Sequence, residues 1–267
     1  MRTHVQFAEL APCIMPERAK PGSPMEERQD EQNRQTPRPP IGKREMRLMN
    51  SRGRELLLRY WDFPLFESFL RKHGTSLRDT SVLDAGCGSG YTLELIWNRF
   101  SPAKLTAFDI VPEQVEIAKS RGTPATVFVG DITALDLPDQ EFDAVFVCGV
   151  LHHCPGWRAG LAEVSRVLKA GGVLLLEEPE TIHLRFERLL TGDSSVLNTG
   201  YSLRNLMKEA ARNGLTALES RPLYFGLFRS YLCVKGVSRR VAEHYVARDL
   251  LRTPDASRVA PGQEAPA

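Results

Sequence analysis

Four short stretches of the chain carry side chains whose types and spacing could do chemistry. Residues 82–90 read VLDAGCGSG: an apolar run, an acid at Asp84, then Gly86, Gly88 and Gly90 at every second position. Glycines so placed let the backbone approach a ligand closely and adopt angles closed to other residues. A dinucleotide fingerprint would read G-x-G-x-x-G and rest a pyrophosphate on the following helix N-terminus. Here the spacing is G-x-G-x-G, and Asp84 would repel a phosphate; an acid at that place suits a ligand with a cationic amine. The second stretch ends at Asp109, about twenty residues on, a position from which a carboxylate can bridge ribose hydroxyls. The third, GDITALDLP, sets Asp131 beside Ile132, a polar group and an apolar face that could hold a purine. The fourth is CGVLHHCP, residues 148–155, with His152 and His153 between Cys148 and Cys154. Adjacent histidines point in divergent directions and structural-zinc spacings are missing, so no metal site is expected. A general base is the chemistry these histidines suit, typically worth ~10²–10⁴-fold where the acceptor must lose a proton. His152 is the first candidate and His153 the second.

The elements that must position these residues alternate in type. Apolar runs, SVLDAG, KLTAFDI, ATVFVGD, FDAVFVCGV and GVLLLEEP, are separated by helix-like stretches, YTLELIWNRF, PEQVEIAKSRG and GWRAGLAEVSRVLKAGG. Runs without polar alternation fit strands covered on both faces, and the β-α-β order implies a parallel sheet. Two last runs, LTALESRPLYF and FRSYLCVKG, are joined by too few residues for a crossover helix, which predicts an antiparallel hairpin at one end of the sheet. The expected fold is an open, doubly wound α/β domain, mostly parallel, with seven strands. Every motif above then falls at the carboxyl end of a strand, where open α/β sheets bind ligands. A ribose, a purine and an amino-acid-like amine together describe S-adenosylmethionine.

In these motifs the chain resembles the class I S-adenosylmethionine-dependent methyltransferases, and within them the small-molecule branch that includes the ubiquinone- and menaquinone-type enzymes. VLDAGCGSG is similar to the family's glycine-rich motif, Asp109 to its ribose-binding acid and GDITALDLP to its adenine-side motif. FDAVFVCGVLHH and VSRVLKAGGVLLLEEP resemble the motifs of the fourth and fifth strands. The resemblance implies that backbone groups of Gly86, Cys87 and Gly88, with Gly90 in the same loop, hold the methionine part and that Asp84 orients its amine. It implies that Asp109 takes the ribose hydroxyls, that Ile110 packs on the adenine and that Asp131 accepts from its amino group. The main chain at Cys148 would meet the methionine amine. In the related plant-type O-methyltransferases a histidine after the fourth strand is the base, and His152 holds the matching place. The chain lacks the Asn- or Asp-Pro-Pro-aromatic tetrapeptide of nucleic-acid N-methyltransferases, so DNA is not an expected partner; a small-molecule acceptor is. Protein or RNA methylation and a non-catalytic cofactor-binding scaffold are the alternatives.

Bulk composition agrees. Of 267 residues 42% are hydrophobic and the net charge is +2, enough to bury one substantial core without a basic stripe for duplex nucleic acid. No apolar stretch approaches the ~18 residues of a membrane span. The five cysteines have no C-x-x-C pair and fit reduced thiols, hence a cytoplasmic protein. Residues 1–45 and 250–267, rich in Pro, Glu, Gln and Arg or in small residues, are expected to be disordered tails. Residues 46–80 should form a helical cap or lid, with Pro64 breaking the helix and Tyr60, Trp61 and Phe63 lining either the acceptor pocket or the core. The cofactor-binding domain should occupy 81–237, with a substrate-side insertion at 180–200. Nothing in the sequence sets an oligomeric state.

Overall fold

Strand β4 (Phe142–Cys148) shows how the sheet is built: Val145 and Val147 face one hydrophobic core, while Ala144 and Phe146 face another. Successive side chains of a strand point to opposite faces, so a run apolar at every position must be covered on both. The computed structural model describes residues 50–184 and 200–236. Its single sheet adds β1 (Ser81–Ala85), β2 (Lys104–Asp109), β3 (Thr126–Val129), β5 (Leu168–Pro179), β6 (Leu215–Leu223) and β7 (Phe228–Lys235). The strand order is β3-β2-β1-β4-β5-β7-β6. Pairs among β1 to β5 are parallel; β7 runs antiparallel to both β5 and β6. The hairpin expected at one end of the sheet is therefore the β6–β7 edge. The expected tails and residues 185–199 of the expected insertion lie outside the described residues.

The helices cover the two faces. Helix α1 (Arg52–Leu57) is capped by the Ser51 hydroxyl, which accepts from the Arg54 amide. A π turn (Leu58–Asp62) then leads into α2 (Phe63–Lys72). Pro64 was expected to break this helix, and it does not. Proline in a helix removes a donor and crowds the carbonyl four residues back. The wider π turn just ahead of it, in which the Phe63 amide bonds the Leu58 carbonyl, shifts that strain while the axis continues. Of the aromatics here, Phe63 is buried in the core, whereas Tyr60 and Trp61 are 60% and 54% exposed. Helices α3 (Tyr91–Phe100), α4 (Pro112–Ser120), α5 (Trp157–Val167) and α6 (Leu203–Arg212) complete the layers.

One core lies under α5 and α6, centred on Trp157, Leu161, Leu206 and Tyr201; the other lies under α2 and α3. In the second, Phe146 stacks on Phe63 at 5.8 Å and meets Phe66 edge-on and Phe100 at a tilt. Helix α2 is thus part of the sheet's cover, while α1 reaches across to the strand ends. Removing the Phe146 ring empties the middle of this cluster. Phe146→Ala should cost ~3–5 kcal/mol in chemical denaturation; a loss under about 1 kcal/mol would contradict this packing.

Candidate active site at the carboxyl edge of the sheet

A parallel sheet brings the carboxyl ends of β1 to β5 to one edge, and each strand ends there in acidic or imidazole side chains. The glycine loop after β1 uses its three glycines differently. A Cβ on Gly86 would strike Val150 at 2.5 Å, and one on Gly90 would strike the α4 backbone at Ala118, 2.8 Å away. A Cβ on Gly88 would meet nothing within 4 Å, so Gly88 faces open space. The amides of Gly86 and Cys87 donate to the Phe108 carbonyl, and that of Gly88 donates to Asp109 Oδ2 at 2.8 Å. With three amides committed to β2, the loop turns no anion cradle of those groups toward a ligand.

Asp84 lies beneath this loop and is almost fully buried; the Thr92 hydroxyl donates to its Oδ2. Burial pushes its carboxyl up to about 7, the Thr92 bond opposes, and Asp109 adds a smaller upward push. Asp109, at the end of β2, is raised by burial and restrained by the amides of Val111 and Gly88. Ile110 beside it is exposed, Asp131 accepts from the amide and hydroxyl of Thr133, and Ile132 is buried against Gly160 of α5. Asp131 therefore holds its own turn while standing at the strand end, whereas Ile132 is a core residue.

The turn after β4 is organised by Glu178, to which the sequence reading gave no role. Its carboxylate exposes no surface and accepts five bonds. Val150 and Leu151 amides donate to Oε1 at 3.0 and 2.7 Å; the His152 amide, His152 Nδ1 and the Tyr201 hydroxyl reach Oε2 at 3.2, 2.8 and 3.0 Å. Burial alone would raise this acid, but the bond to His152 and the amides of Leu151 and Val150 outweigh it and hold it below the usual range. A carboxylate only accepts, so Nδ1 carries a proton toward Glu178, and Nε2 is the nitrogen left to act as a base whenever the ring is neutral. The His153 ring lies 3.7 Å from that of His152.

Beside this turn a second polar cluster joins elements far apart in sequence. Arg54 of α1 donates through Nη2 to Glu177 Oε2 at 2.8 Å, and its Nη1 lies 3.8 Å from Asp62 Oδ2. The Tyr224 hydroxyl, from the β6–β7 turn, donates to Asp62 Oδ2. Glu177 is pushed up to about 7 by burial, partly offset by Arg54, and Asp62 is raised for the same reason. Arg121 forms a second clamp on α1. It donates to the Ser89 carbonyl at 2.6 Å, to Glu94 at 2.8 Å and to Glu55 at 3.0 Å. The terminal acid pair of GVLLLEEP was the one local signal for this cluster; Arg54, Asp62 and Tyr224 have none. Among the described residues no group of three or more His, Cys, Asp or Glu is placed to hold a metal ion, and no helix is long and apolar enough to cross a membrane.

Residues 83–176 match the methyltransferase domain family. They form a methyltransferase domain of the class I S-adenosylmethionine-dependent type. The chain is 37% identical over 102 residues to the malonyl-[acyl-carrier protein] O-methyltransferase of Serratia marcescens, covering 38% of this chain and 39% of that one. It is 30% identical over 122 residues to the 2-methyl-6-phytyl-1,4-hydroquinone methyltransferase 2 of rice, Oryza sativa subsp. japonica, covering 45% of this chain and 35% of that one. The chain thus spans well under half the length of either curated relative. A solved S-adenosylmethionine-dependent methyltransferase from Aquifex aeolicus superposes with a TM-score of 0.55 at 20% identity, over 72% of this chain and 97% of the other. That likeness is one of fold.

The raised acids set a pH dependence. A buried carboxyl whose folded value lies above its unfolded value binds more protons folded than unfolded, so stability falls as pH climbs between the two. For Asp84 and Glu177 that window runs from about 4 to about 7. Glu178 shifts the other way, and its contribution is lost only below the window. The ligand-free protein should lose thermal stability from pH 5 to pH 8. Asp84→Asn should lose less and exceed its parent at pH 8 by about 2–4 kcal/mol. A variant no more stable than its parent at pH 8 would contradict the burial of Asp84.

Proposed function

We propose that the protein transfers a methyl group from S-adenosylmethionine to a small-molecule acceptor, at oxygen or carbon. The observation that carries this reading is the order of groups along one edge: Asp131 after β3, Asp109 on β2, Asp84 on β1, His152 after β4, then Glu177 and Glu178 on β5. In that order they suit a purine, a ribose, an amine and an acceptor. The site fits the cofactor on three counts: Gly88 borders open space, Asp84 is a buried acid able to face a cation, and the loop amides are bound to β2. A diphosphate would find neither donors nor favourable charge there.

Asp109 would hold the ribose hydroxyls, Ile110 would pack on the base beside Asp131, and Asp84 with the main chain at Gly86, Cys87, Gly88 and Cys148 would hold the methionine end. Ile132 supports this wall from within the core. S-adenosylmethionine supplies a methyl already activated on a sulfonium. What remains for the chain is orientation, which can lower a barrier by ~7–11 kcal/mol, and removal of the acceptor's proton. His152 Nε2 would take that proton while Glu178 holds Nδ1. The relatives' printed names support this reading: one acts on a hydroquinone and the other is an O-methyltransferase of malonyl-[acyl-carrier protein]. The cytoplasmic location stays part of this proposal and rests on the spacing of the cysteines, which offers no C-x-x-C pair.

With methyl-labelled S-adenosylmethionine and an acceptor panel of phenols, hydroquinones and carboxylic acids, label should pass to at least one acceptor. His152→Ala should lower kcat by ~10²–10⁴-fold with cofactor affinity changed less than twofold. A fully active variant would remove His152 from the mechanism, and a parent that neither binds the cofactor nor labels any acceptor would overturn the reading.

A further inference from the structure

The Arg54 cluster is not needed to hold the cofactor, yet it sits one strand beyond the place proposed for the cofactor's amine. Its geometry centres on Gly149, whose φ is +71°. A methyl built there would stand 3.6 Å from His152 Cε1, 3.8 Å from Arg54 Nη2 and 3.8 Å from Glu177 Oε2. The proposed base and the charged cluster thus converge on one point with room for a carbon atom. The Gly149 amide donates to the Glu177 carbonyl at 2.7 Å, which fixes this point against β5.

The cluster is incomplete as it stands. Asp62 and Glu177 expose no surface, and among the described residues Asp62 Oδ1 and Glu177 Oε1 have no hydrogen-bond partner. A buried polar atom without a partner costs ~1–3 kcal/mol, more when charged, and two in one cluster call for donors from outside it. The formal charge points the same way, since two carboxylates share one guanidinium. The turn that closes the cluster holds two consecutive non-glycine residues, Tyr224 and Phe225, in left-handed backbone with φ of 49° and 58°. Strain of this kind costs of order 1–3 kcal/mol per residue and persists where surrounding structure requires it; here it brings the Tyr224 hydroxyl to Asp62.

We infer that Asp62 and Glu177, set on either side of Arg54 and closed by Tyr224, form the acceptor subsite and select a molecule offering a hydrogen-bond donor, a hydroxyl or an amine, over one offering a carboxylate. This rests on the methyltransferase reading above. A donor can bond the two unpartnered oxygens, whereas a carboxylate meets two further acids and must draw Arg54 away from both its partners. A site that rejects a ligand by leaving buried polar groups unpaired can discriminate strongly.

The test uses the full chain loaded with S-adenosylhomocysteine and three probes on one skeleton: 4-ethylphenol, 2-phenylethylamine and 3-phenylpropionate, with binding followed by calorimetry. The phenol or the amine should bind at least tenfold more tightly than the carboxylate. Glu177→Gln, which keeps size and replaces one acceptor by an amide, should reduce that preference at least fivefold with S-adenosylhomocysteine affinity unchanged. Asp62→Asn, on a different element, should do the same, so a folding defect in one variant leaves the other to decide. Equal or tighter binding of the carboxylate, no binding of any probe by the loaded protein, or an unchanged preference in a folded variant would overturn the inference. Failure to bind S-adenosylhomocysteine would instead bring down the methyltransferase reading, and this inference with it.

Discussion

Ionisable groups held out of water at one edge of a parallel sheet are the constraint on which the rest of this structure depends. The strand order places β1, β4 and β5 side by side, and each ends there in a buried acid or in the turn bearing His152. Burial penalises the charged form of every such group, and the protein answers differently at each. Glu178 receives three amides, an imidazole and a phenol and is held ionised. Asp84 has only the Thr92 hydroxyl to oppose burial, which pushes its carboxyl up to about 7. Glu177 and Asp62 share Arg54 and keep two oxygens unmatched. The first solution is complete within the protein. The others are partial, and partial satisfaction of buried polar groups is where function is expected, because a ligand can complete it.

The surrounding architecture serves this edge. Two apolar faces on β4 and β5 hold the strands rigid, so the strand-end groups are placed by the core and not by loops alone. Two arginines, Arg54 and Arg121, tie α1 to β5 and to the glycine loop, and the π turn before Pro64 lets that helix continue into the aromatic core.

Much of this was legible in the sequence for a physical reason: strands covered on both faces are apolar at every position, and a glycine loop with a following acid is contiguous. The sheet, the terminal hairpin and the positions of Asp84, Asp109 and His152 at strand ends all follow from local pattern. Pro64 was misread because a π turn has no residue signature that distinguishes it from a break. Glu177 and Glu178 were given no role, although two acids ending an all-apolar run must find partners and so leave a local signal. Arg54, Asp62 and Tyr224 were not visible at all, because contacts separated by more than a hundred residues, such as Arg54 with Glu177 and Tyr224 with Asp62, leave no trace in spacing. Ile132, read beside Asp131 as a ligand-facing residue, packs its side chain into the core under α5, a contact with Gly160 that local pattern does not reveal.

The central claim is that a cation is meant to sit over Asp84 between the glycine loop and the end of β4. Calorimetric titration of S-adenosylmethionine into the protein, repeated in buffers of different ionisation enthalpy, tests it most directly. A cation favours the ionised carboxyl, so binding should occur at a single site and release a fraction of a proton near pH 6.5, fading by pH 8.5. Absence of binding, or binding whose heat carries no proton release at pH 6.5, would contradict the account.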